Sequence, residues 1–249
     1  MPPIVDLFVT CILDTLYPET AMAVVEVLET SGVGVNFPMG QTCCGQPAFN
    51  AGLRPLARKM AQQTIRVLEQ TSHPVIIPSG SCAGMIRHGY VELFGDDPGW
   101  LPRAQKLAER TFEFTEYLVD QLGVRDLKAR YSGKIAYHAS CHLLRDLGVN
   151  RQPLELLWTA CEGQLVELPE QQDCCGFGGL FSIEHPEISA AMLERKIANF
   201  VASGADTLVT CDGGCIAHIN GGLHRRGLPL RAMHIAEILA GTRTIGQDG

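Results

Sequence analysis

The sequence is organised around Cys174-Cys175-Gly176-Phe177-Gly178-Gly179 and an earlier counterpart, Cys43-Cys44-Gly45-Gln46-Pro47. Two neighbouring thiols cannot both pack as small apolar groups without crowding the backbone, and a disulfide between them would be strained. Two thiolates at one turn, followed by glycine, suit a metal centre that needs several sulfur ligands and a close backbone approach. Two such motifs, each bracketed by further cysteines, therefore indicate a duplicated metal-binding unit.

The composition is that of an ordinary globular protein, with 46% hydrophobic and 19% charged residues among 249. The net charge of −7 argues against a nucleic-acid or anionic-membrane surface. We expect no membrane span, since no apolar run approaches roughly 18 residues, and the first residues do not resemble a signal peptide. The sequence predicts a cytoplasmic protein, where thiols stay reduced and clustered cysteines more often bind metal than form disulfides.

Short apolar strands alternate with amphipathic helices along the chain, and the order occurs twice. Because strands that alternate with helices form parallel sheets covered by helices, the predicted fold class is α/β. The predicted strands cover residues 4–10, 33–37, 74–78, 134–138, 164–168 and 207–210. The predicted helices cover residues 17–30, 53–70, 85–93, 103–122, 154–161 and 183–202.

The cysteines repeat at a nearly constant distance, which predicts an internal duplication. The offsets are 130, 131 and 133 residues for the pairs Cys11 and Cys141, Cys43 and Cys174, and Cys82 and Cys215. The predicted domains are residues 1–128 and 129–249, each a small parallel sheet flanked by helices. Each cysteine group follows a strand, and ligands collect at the carboxyl ends of strands in open parallel sheets. We therefore expect the cysteines of each domain to meet at one sheet edge.

Each repeat offers one cysteine after its first strand, a pair after its second and at least one after its third. Four thiolates match a four-iron four-sulfur cluster or a closed zinc site. Zinc sites usually contain short Cys-x-x-Cys motifs, and this sequence has none. We therefore predict one or two iron–sulfur clusters, with zinc as the alternative. The candidate ligands are Cys11, Cys43, Cys44, Cys82, Cys141, Cys174, Cys175, Cys211 and Cys215.

Some neighbouring residues have a simpler interpretation. Cys161 closes an apolar helix and has no repeat partner, so we expect a buried small residue. Cys211 is either a ligand or a thiol at the end of a core strand. His138 and His142, which flank Cys141, either contact the metal centre or make local hydrogen bonds.

The cysteine pattern resembles that of proteins with paired CCG cysteine-rich domains, and the resemblance covers almost the whole chain. That family includes the cysteine-rich subunit of heterodisulfide reductase, the iron–sulfur subunit of glycolate oxidase and lactate-utilization protein A. The chain has no ferredoxin-like Cys-x-x-Cys-x-x-Cys segment, so it is most similar to the last of these. Further matching phrases are Val35-Asn36-Phe37-Pro38 and Met233-His234-Ile235-Ala236-Glu237.

The resemblance implies an iron–sulfur electron-transfer subunit, an oxidoreductase component that helps to oxidise L-lactate, a 2-hydroxy acid, to pyruvate. It also implies a ferredoxin-type iron–sulfur subunit and a third lactate-utilization subunit as partners. Two alternatives stay open: a thiol–disulfide reductase subunit of the heterodisulfide reductase type, and a zinc-stabilised binding module without redox activity. The family signature ends in Cys-x-x-Cys, but Met85 and His218 replace its last cysteine, so four-ligand cubane clusters fit better.

We expect the clusters of the two repeats to differ in stability. Repeat two contains the additional Cys211 and the glycine-rich loop 176–179, whereas Pro47 follows the cysteine pair of repeat one. Ligand number, hydrogen bonds to sulfur and solvent exposure set the potential and stability of a cluster. Repeat two should therefore hold the more robust cluster.

Overall fold

Two parallel four-stranded sheets, one in each half of the chain, form the framework of the protein. The computed structural model describes residues 2–241. The strands are β1 Ile4–Leu7, β2 Gly34–Asn36, β3 Val75–Ile77, β4 Thr111–Glu113, β5 Ile135–Tyr137, β6 Leu165–Val166, β7 Thr207–Thr210 and β8 Arg231–His234.

Helices connect the strands and cover both sheets. Among the described residues, none is both long enough and apolar enough to cross a membrane. The helices of the first half are α1 Cys11–Leu16, α2 Pro18–Thr30, α3 Gln46–Asn50, α4 Arg54–Leu68, α5 Gly80–Gly84, α6 Tyr90–Leu93, α7 Leu101–Glu109 and α8 Phe114–Glu116, with π-helical turns at Met85–Gly89 and Tyr117–Gln121. Those of the second half are α9 Cys141–Arg145, α10 Arg151–Ala160, α11 Phe181–Glu184, α12 Pro186–Ser203, α13 Gly213–Arg225 and α14 Ile235–Leu239.

The two sheets have the same topology. Their strand orders are β2-β1-β3-β4 and β6-β5-β7-β8, and all the pairings are parallel. The hydrogen bonds also correspond, since the N–H of Phe8 donates to Ile76 and that of His138 donates to Val209. The predicted duplicated α/β fold is confirmed. The exact domain boundary at residue 128 stays a prediction.

The fourth strand of each sheet was not predicted. Residues 103–122 were expected to form one helix, but β4 separates α7 from α8. β8 is likewise absent from the predicted strands. Strands of three or four residues are too short to show a clear alternation of apolar and polar residues. β4 and β8 form at the sheet edge because they pair with neighbouring strands that are distant in the sequence. The predicted helix over residues 183–202 is also divided, because Pro186 begins a new helix.

The central hydrophobic core joins the two halves. It contains Val5 and Ile76 from the first sheet together with Tyr137 and Val209 from the second. Each half also contains a smaller buried cluster of its own. Side chains from both halves thus bury one another, and neither sheet is covered by its own half alone.

The contact between the halves is reciprocal. A Cβ atom on Gly80 would lie 2.6 Å from the Cβ of Leu143, and one on Gly213 would lie 2.9 Å from Cδ2 of Leu13. The first helix of each repeat therefore packs closely against a helix of the other repeat. These pairs are α1 with α13 and α9 with α5. Glycine permits this approach because any larger residue would clash.

A buried carboxyl group, that of Glu113, ends β4. Its Oε2 accepts hydrogen bonds from the backbone N–H (2.7 Å) and hydroxyl (2.5 Å) of Thr115, while Oε1 has no partner within residues 2–241. Burial raises the pKa of Glu113 from 4.5 to about 7. The folded protein therefore favours the protonated acid, and stability from this group is greatest below pH 4.5 and lost as the pH rises through about 7.

We expect Glu113→Gln to increase the free energy of unfolding more at about pH 8 than at about pH 5. The neutral amide avoids ionisation in the core, and the expected gain at the higher pH is at most about 3 kcal/mol. Urea denaturation at the two pH values measures it, with exposed Glu109→Gln as the control. An equal effect of Glu113→Gln at both pH values would contradict the prediction.

Candidate metal centre

The cysteines of each half follow the carboxyl ends of its strands. Cys11 and Cys141 begin α1 and α9, while Cys82 and Cys215 lie near the starts of α5 and α13. The two Cys-Cys pairs occupy the loops after β2 and β6. The amino ends of helices carry partial positive charge, which stabilises thiolates and other anions placed there.

The glycine of each Cys-Cys-Gly motif is required by the backbone. Gly45 has φ +86° and Gly176 has φ +92°, in the left-handed region that favours glycine. A Cβ atom on Gly45 would lie 3.2 Å from Met60 Cβ, and one on Gly176 only 2.5 Å from the carbonyl oxygen of Ser189. The glycine thus lets each cysteine pair turn tightly against the following long helix.

The four cysteines of repeat one form a continuous group. Sγ of Cys44 lies 3.4 Å from Sγ of Cys82. Hydrogen bonds from the thiols of Cys11 and Cys44 lower the pKa of Cys43 to about 2. The same hydrogen bonds raise the pKa values of Cys11 and Cys44, which keep the shared protons. The predicted grouping of these four residues is present in the structure.

Repeat two has the same arrangement. Sγ of Cys175 lies 3.3 Å from Sγ of Cys215. Hydrogen bonds from Cys141 and Cys175, with a contribution from the backbone N–H of Gly176, lower the pKa of Cys174 to about 2. In each repeat, the first cysteine of the adjacent pair is thus the thiol that ionises most readily, and thiolates are the form that binds metal.

Both cysteine groups open on one cavity between the halves. The cavity has a volume of about 170 Å³ and is partly open to solvent. Besides the eight cysteines, the two repeats contribute different side chains at equivalent positions, with His142 in repeat two and Ile12 in repeat one. The cavity is therefore shared by two similar but unequal metal-ligand sets.

Asp212 connects the two halves beside the cavity, and its equivalent in repeat one is Ser79. One carboxylate oxygen accepts hydrogen bonds from the Ser79 hydroxyl (3.0 Å) and the N–H of Ser81 (3.1 Å). The other accepts from the N–H of Gly214 at 3.1 Å. Asp212 thus caps α13 and also holds the start of α5. The sequence analysis missed this role because it depends on contact between the halves.

Two cysteines lie outside the groups. Cys161 is fully buried in the central core. Cys211 is also fully buried, does not line the cavity, and has its Sγ 3.9 Å from the hydroxyl of Tyr137. The structure therefore favours the core interpretation of Cys211 over the ligand interpretation.

The residues that replace the family's last cysteines do not join the groups. Met85 is buried against Gly89. The ring of His218 packs at a tilt against that of Phe177, with Nε2 3.3 Å from the hydroxyl of Ser189. Neither side chain lines the cavity, which leaves four cysteines in each group.

One histidine lies beside a cysteine group, although it does not line the cavity. A ring nitrogen of His138 lies within 4.8 Å of Sγ of both Cys175 and Cys215, and all three residues are buried. Burial lowers the pKa of His138 to about 4, so the ring is neutral near neutral pH. A neutral imidazole is the form of histidine that binds metals.

Comparisons with known proteins agree with the duplicated site. A family profile described as a cysteine-rich CCG domain matches residues 5–87 and 135–220. "Lactate utilization protein A" of an Exiguobacterium species is 46% identical over 238 residues, which cover 95% of this chain and 97% of that protein. "Lactate utilization protein A 2" of Bacillus cereus is 43% identical over 237 residues, with the same coverage.

Similarity to solved structures is remote. An aspartate racemase homologue from Pyrococcus horikoshii covers 96% of both chains, but at 11% sequence identity and a TM-score of 0.31. These values are too low to indicate a shared fold or activity.

Proposed function

This chain belongs to the CCG cysteine-rich domain family, and we propose that it is an iron–sulfur electron-transfer subunit of an L-lactate-oxidising system. The observation that carries the proposal is the pair of four-thiol groups around one cavity. The relatives named for lactate utilization, which match nearly the whole chain, support the substrate class.

The donor set fits iron–sulfur clusters in its chemistry. Thiolates are the usual ligands of such clusters, and bound clusters supply one-electron oxidation and reduction. Cys43 and Cys174 are poised to ionise, the cysteine helices stabilise negative charge, and the cavity gives access from solvent. The chain's own role is therefore to hold the two centres close together and to limit their exposure.

A second candidate is a zinc-stabilised protein. Tetrahedral zinc with Zn–S bonds of about 2.3 Å separates its sulfurs by roughly 3.8 Å. The observed distances of 3.4 Å in repeat one and 3.3 Å in repeat two are close to this value. A cubane cluster requires the thiols to spread apart. Structural zinc sites are normally closed, however, and the opening of both groups on one cavity favours clusters.

The proposal includes the environment and the partners. We place the protein in the cytoplasm, where its thiols stay reduced, beside a ferredoxin-type iron–sulfur subunit and a third lactate-utilization subunit. The chain's cysteines offer a path for electrons, and these partners would supply the other steps of lactate oxidation. Copurification of the three proteins and electron transfer from lactate in the reconstituted mixture test this part of the proposal.

Metal analysis of protein purified without oxygen tests the central proposal. We expect a brown protein that absorbs near 400 nm, contains iron and acid-labile sulfide in equal amounts, and gives an electron paramagnetic resonance signal after reduction. Colourless protein with stoichiometric zinc would replace the proposal with the second candidate. Replacing Cys161 with alanine is the control, because this buried thiol lies apart from the cavity.

A further inference from the structure

The side chain of His138 has one free ring nitrogen in the core of repeat two. The residue is fully buried, and its Nε2 has no hydrogen-bond partner among the described residues. A buried polar atom without a partner is costly, so native proteins seldom retain one without a role. Sγ of Cys175 and Sγ of Cys215 each lie within 4.8 Å of a ring nitrogen of His138.

The hydrogen bond on the other side of the ring determines which nitrogen carries the proton. Nδ1 of His138 lies 3.4 Å from the backbone carbonyl oxygen of Gln171. Because a carbonyl oxygen can only accept a hydrogen bond, Nδ1 carries the N–H. In the neutral ring, Nε2 then has a free lone pair, which is the usual tautomer of a metal-binding histidine that bonds to a backbone carbonyl.

A buried lysine supports the same carbonyl group. Nζ of Lys196 donates a hydrogen bond to the carbonyl oxygen of Glu170 at 2.8 Å and lies 3.5 Å from that of Gln171. The side chain is 1% exposed. Lys196 and His138 therefore converge on Gln171, and this contact holds the loop before the Cys-Cys pair and fixes the orientation of the imidazole.

Repeat one has neither a histidine at the position of His138 nor a lysine at the position of Lys196. The matching backbone hydrogen bonds of β1 and β5 make Phe8 the equivalent of His138. Met60 and Met192 occupy the same position beside the two motif glycines. One helical turn further along, Thr64 is thus the equivalent of Lys196. A phenyl ring offers no ligand atom, so the nitrogen donor is specific to repeat two.

We propose that Nε2 of His138 is a metal ligand in repeat two, which makes this centre a mixed cysteine–histidine site, whereas repeat one is a cysteine-only site. The inference rests on the proposed iron–sulfur function and adds a ligand to it. In a four-ligand cubane the imidazole would take the place of one of the four thiolates, and histidine in place of thiolate would raise the reduction potential of the centre, as would a nearby positive charge. Repeat two would then hold the centre of higher potential.

Pulsed electron paramagnetic resonance on the reduced holoprotein tests the ligand. We expect a ¹⁴N coupling of the size produced by a directly bound imidazole, replaced by a ¹⁵N coupling when the protein is labelled with ¹⁵N-histidine. His138→Phe, which installs the residue of repeat one, should abolish the coupling and lower the higher midpoint potential. For a one-electron centre, a change of about 59 mV in the midpoint potential corresponds to a tenfold change in the ratio of oxidised to reduced centre.

Two variants are matched controls. His142→Phe removes the other histidine of the site, whose Nδ1 lies 3.5 Å from Sγ of Cys141. Thr64→Val changes the equivalent of Lys196 in repeat one. Both should keep the nitrogen coupling, and Thr64→Val should also keep the higher potential.

Four outcomes would overturn the inference. Iron-loaded wild-type protein without a directly bound nitrogen contradicts it, whatever the fate of the variants. Persistence of the coupling in His138→Phe, or its loss in His142→Phe, would assign the nitrogen to another residue. Protein with no iron would overturn the proposed function and this inference together, and iron and sulfide analysis of the same sample identifies that case.

Discussion

Replacing Cys175 with serine is expected to remove most of the bound iron and to abolish electron transfer from lactate. Cys175 is central to repeat two, since its Sγ lies 3.3 Å from that of Cys215 and its hydrogen bond to Cys174 helps to lower the pKa of that thiol. Serine is a poor ligand for iron at neutral pH because its hydroxyl does not ionise as a thiol does. Iron and sulfide analysis measures the loss.

The equivalent variant of repeat one, Cys44→Ser, should lose less iron. Cys44 is buried beside Cys82 in the same geometry, but within residues 2–241 no histidine joins that group. Cys161→Ala serves as the control for loss of a buried thiol and should keep the full iron content. Equal iron loss from Cys44→Ser and Cys175→Ser, or a larger loss from Cys44→Ser, would contradict the predicted inequality of the repeats.

The second large effect is expected from Asp212→Ala. This change leaves the hydroxyl of Ser79 and the N–H groups of Ser81 and Gly214 without their acceptor. The change removes the side-chain cap of α13 and leaves buried hydrogen-bond donors without a partner. Together these losses should lower the free energy of unfolding by about 3 kcal/mol. Urea denaturation of the metal-loaded protein, carried out without oxygen, measures the change.

Asp206→Ala is the matched control for Asp212→Ala. Asp206 also accepts a backbone N–H, that of Lys134 at 3.0 Å, but it is exposed and its partner belongs to the same half of the chain. Its removal should cost well under about 1 kcal/mol. We expect Asp212→Asn to recover part of the lost stability, because the amide oxygen can still accept. A loss below about 1 kcal/mol for Asp212→Ala would show that the contact between the halves does not depend on this carboxylate.

The sequence was sufficient to predict the parts of the site that repeat locally. Cys174-Cys175-Gly176 and its counterpart revealed both the duplication and the ligand count, because vicinal thiols and a left-handed glycine have few structural uses. The alternation of strands and helices then placed each cysteine at the carboxyl end of a strand. That placement required no knowledge of which strands are neighbours.

Features that depend on residues distant in the sequence but close in the fold were not predictable from local sequence patterns. β4 and β8 are strands only because β3 and β7 lie beside them. Cys211 matched the ligand pattern, yet its strand directs it into the shared core. The significance of Asp212 and Lys196 depends on groups more than 20 residues away. Local composition could not distinguish these residues from ordinary surface charges.

The contact between Ser79 and Asp212 bears on the evolutionary history of the chain. In a homodimer of single repeats, a residue on the twofold axis meets its own copy. Two aspartates would then repel each other, and two serines would lack a charged acceptor for Ser81. Two repeats joined in one chain are free of that restriction, since their equivalent positions can hold different residues and place a donor opposite an acceptor. The same freedom allowed histidine beside one cysteine group and phenylalanine beside the other, which no symmetric dimer of a single gene product can achieve.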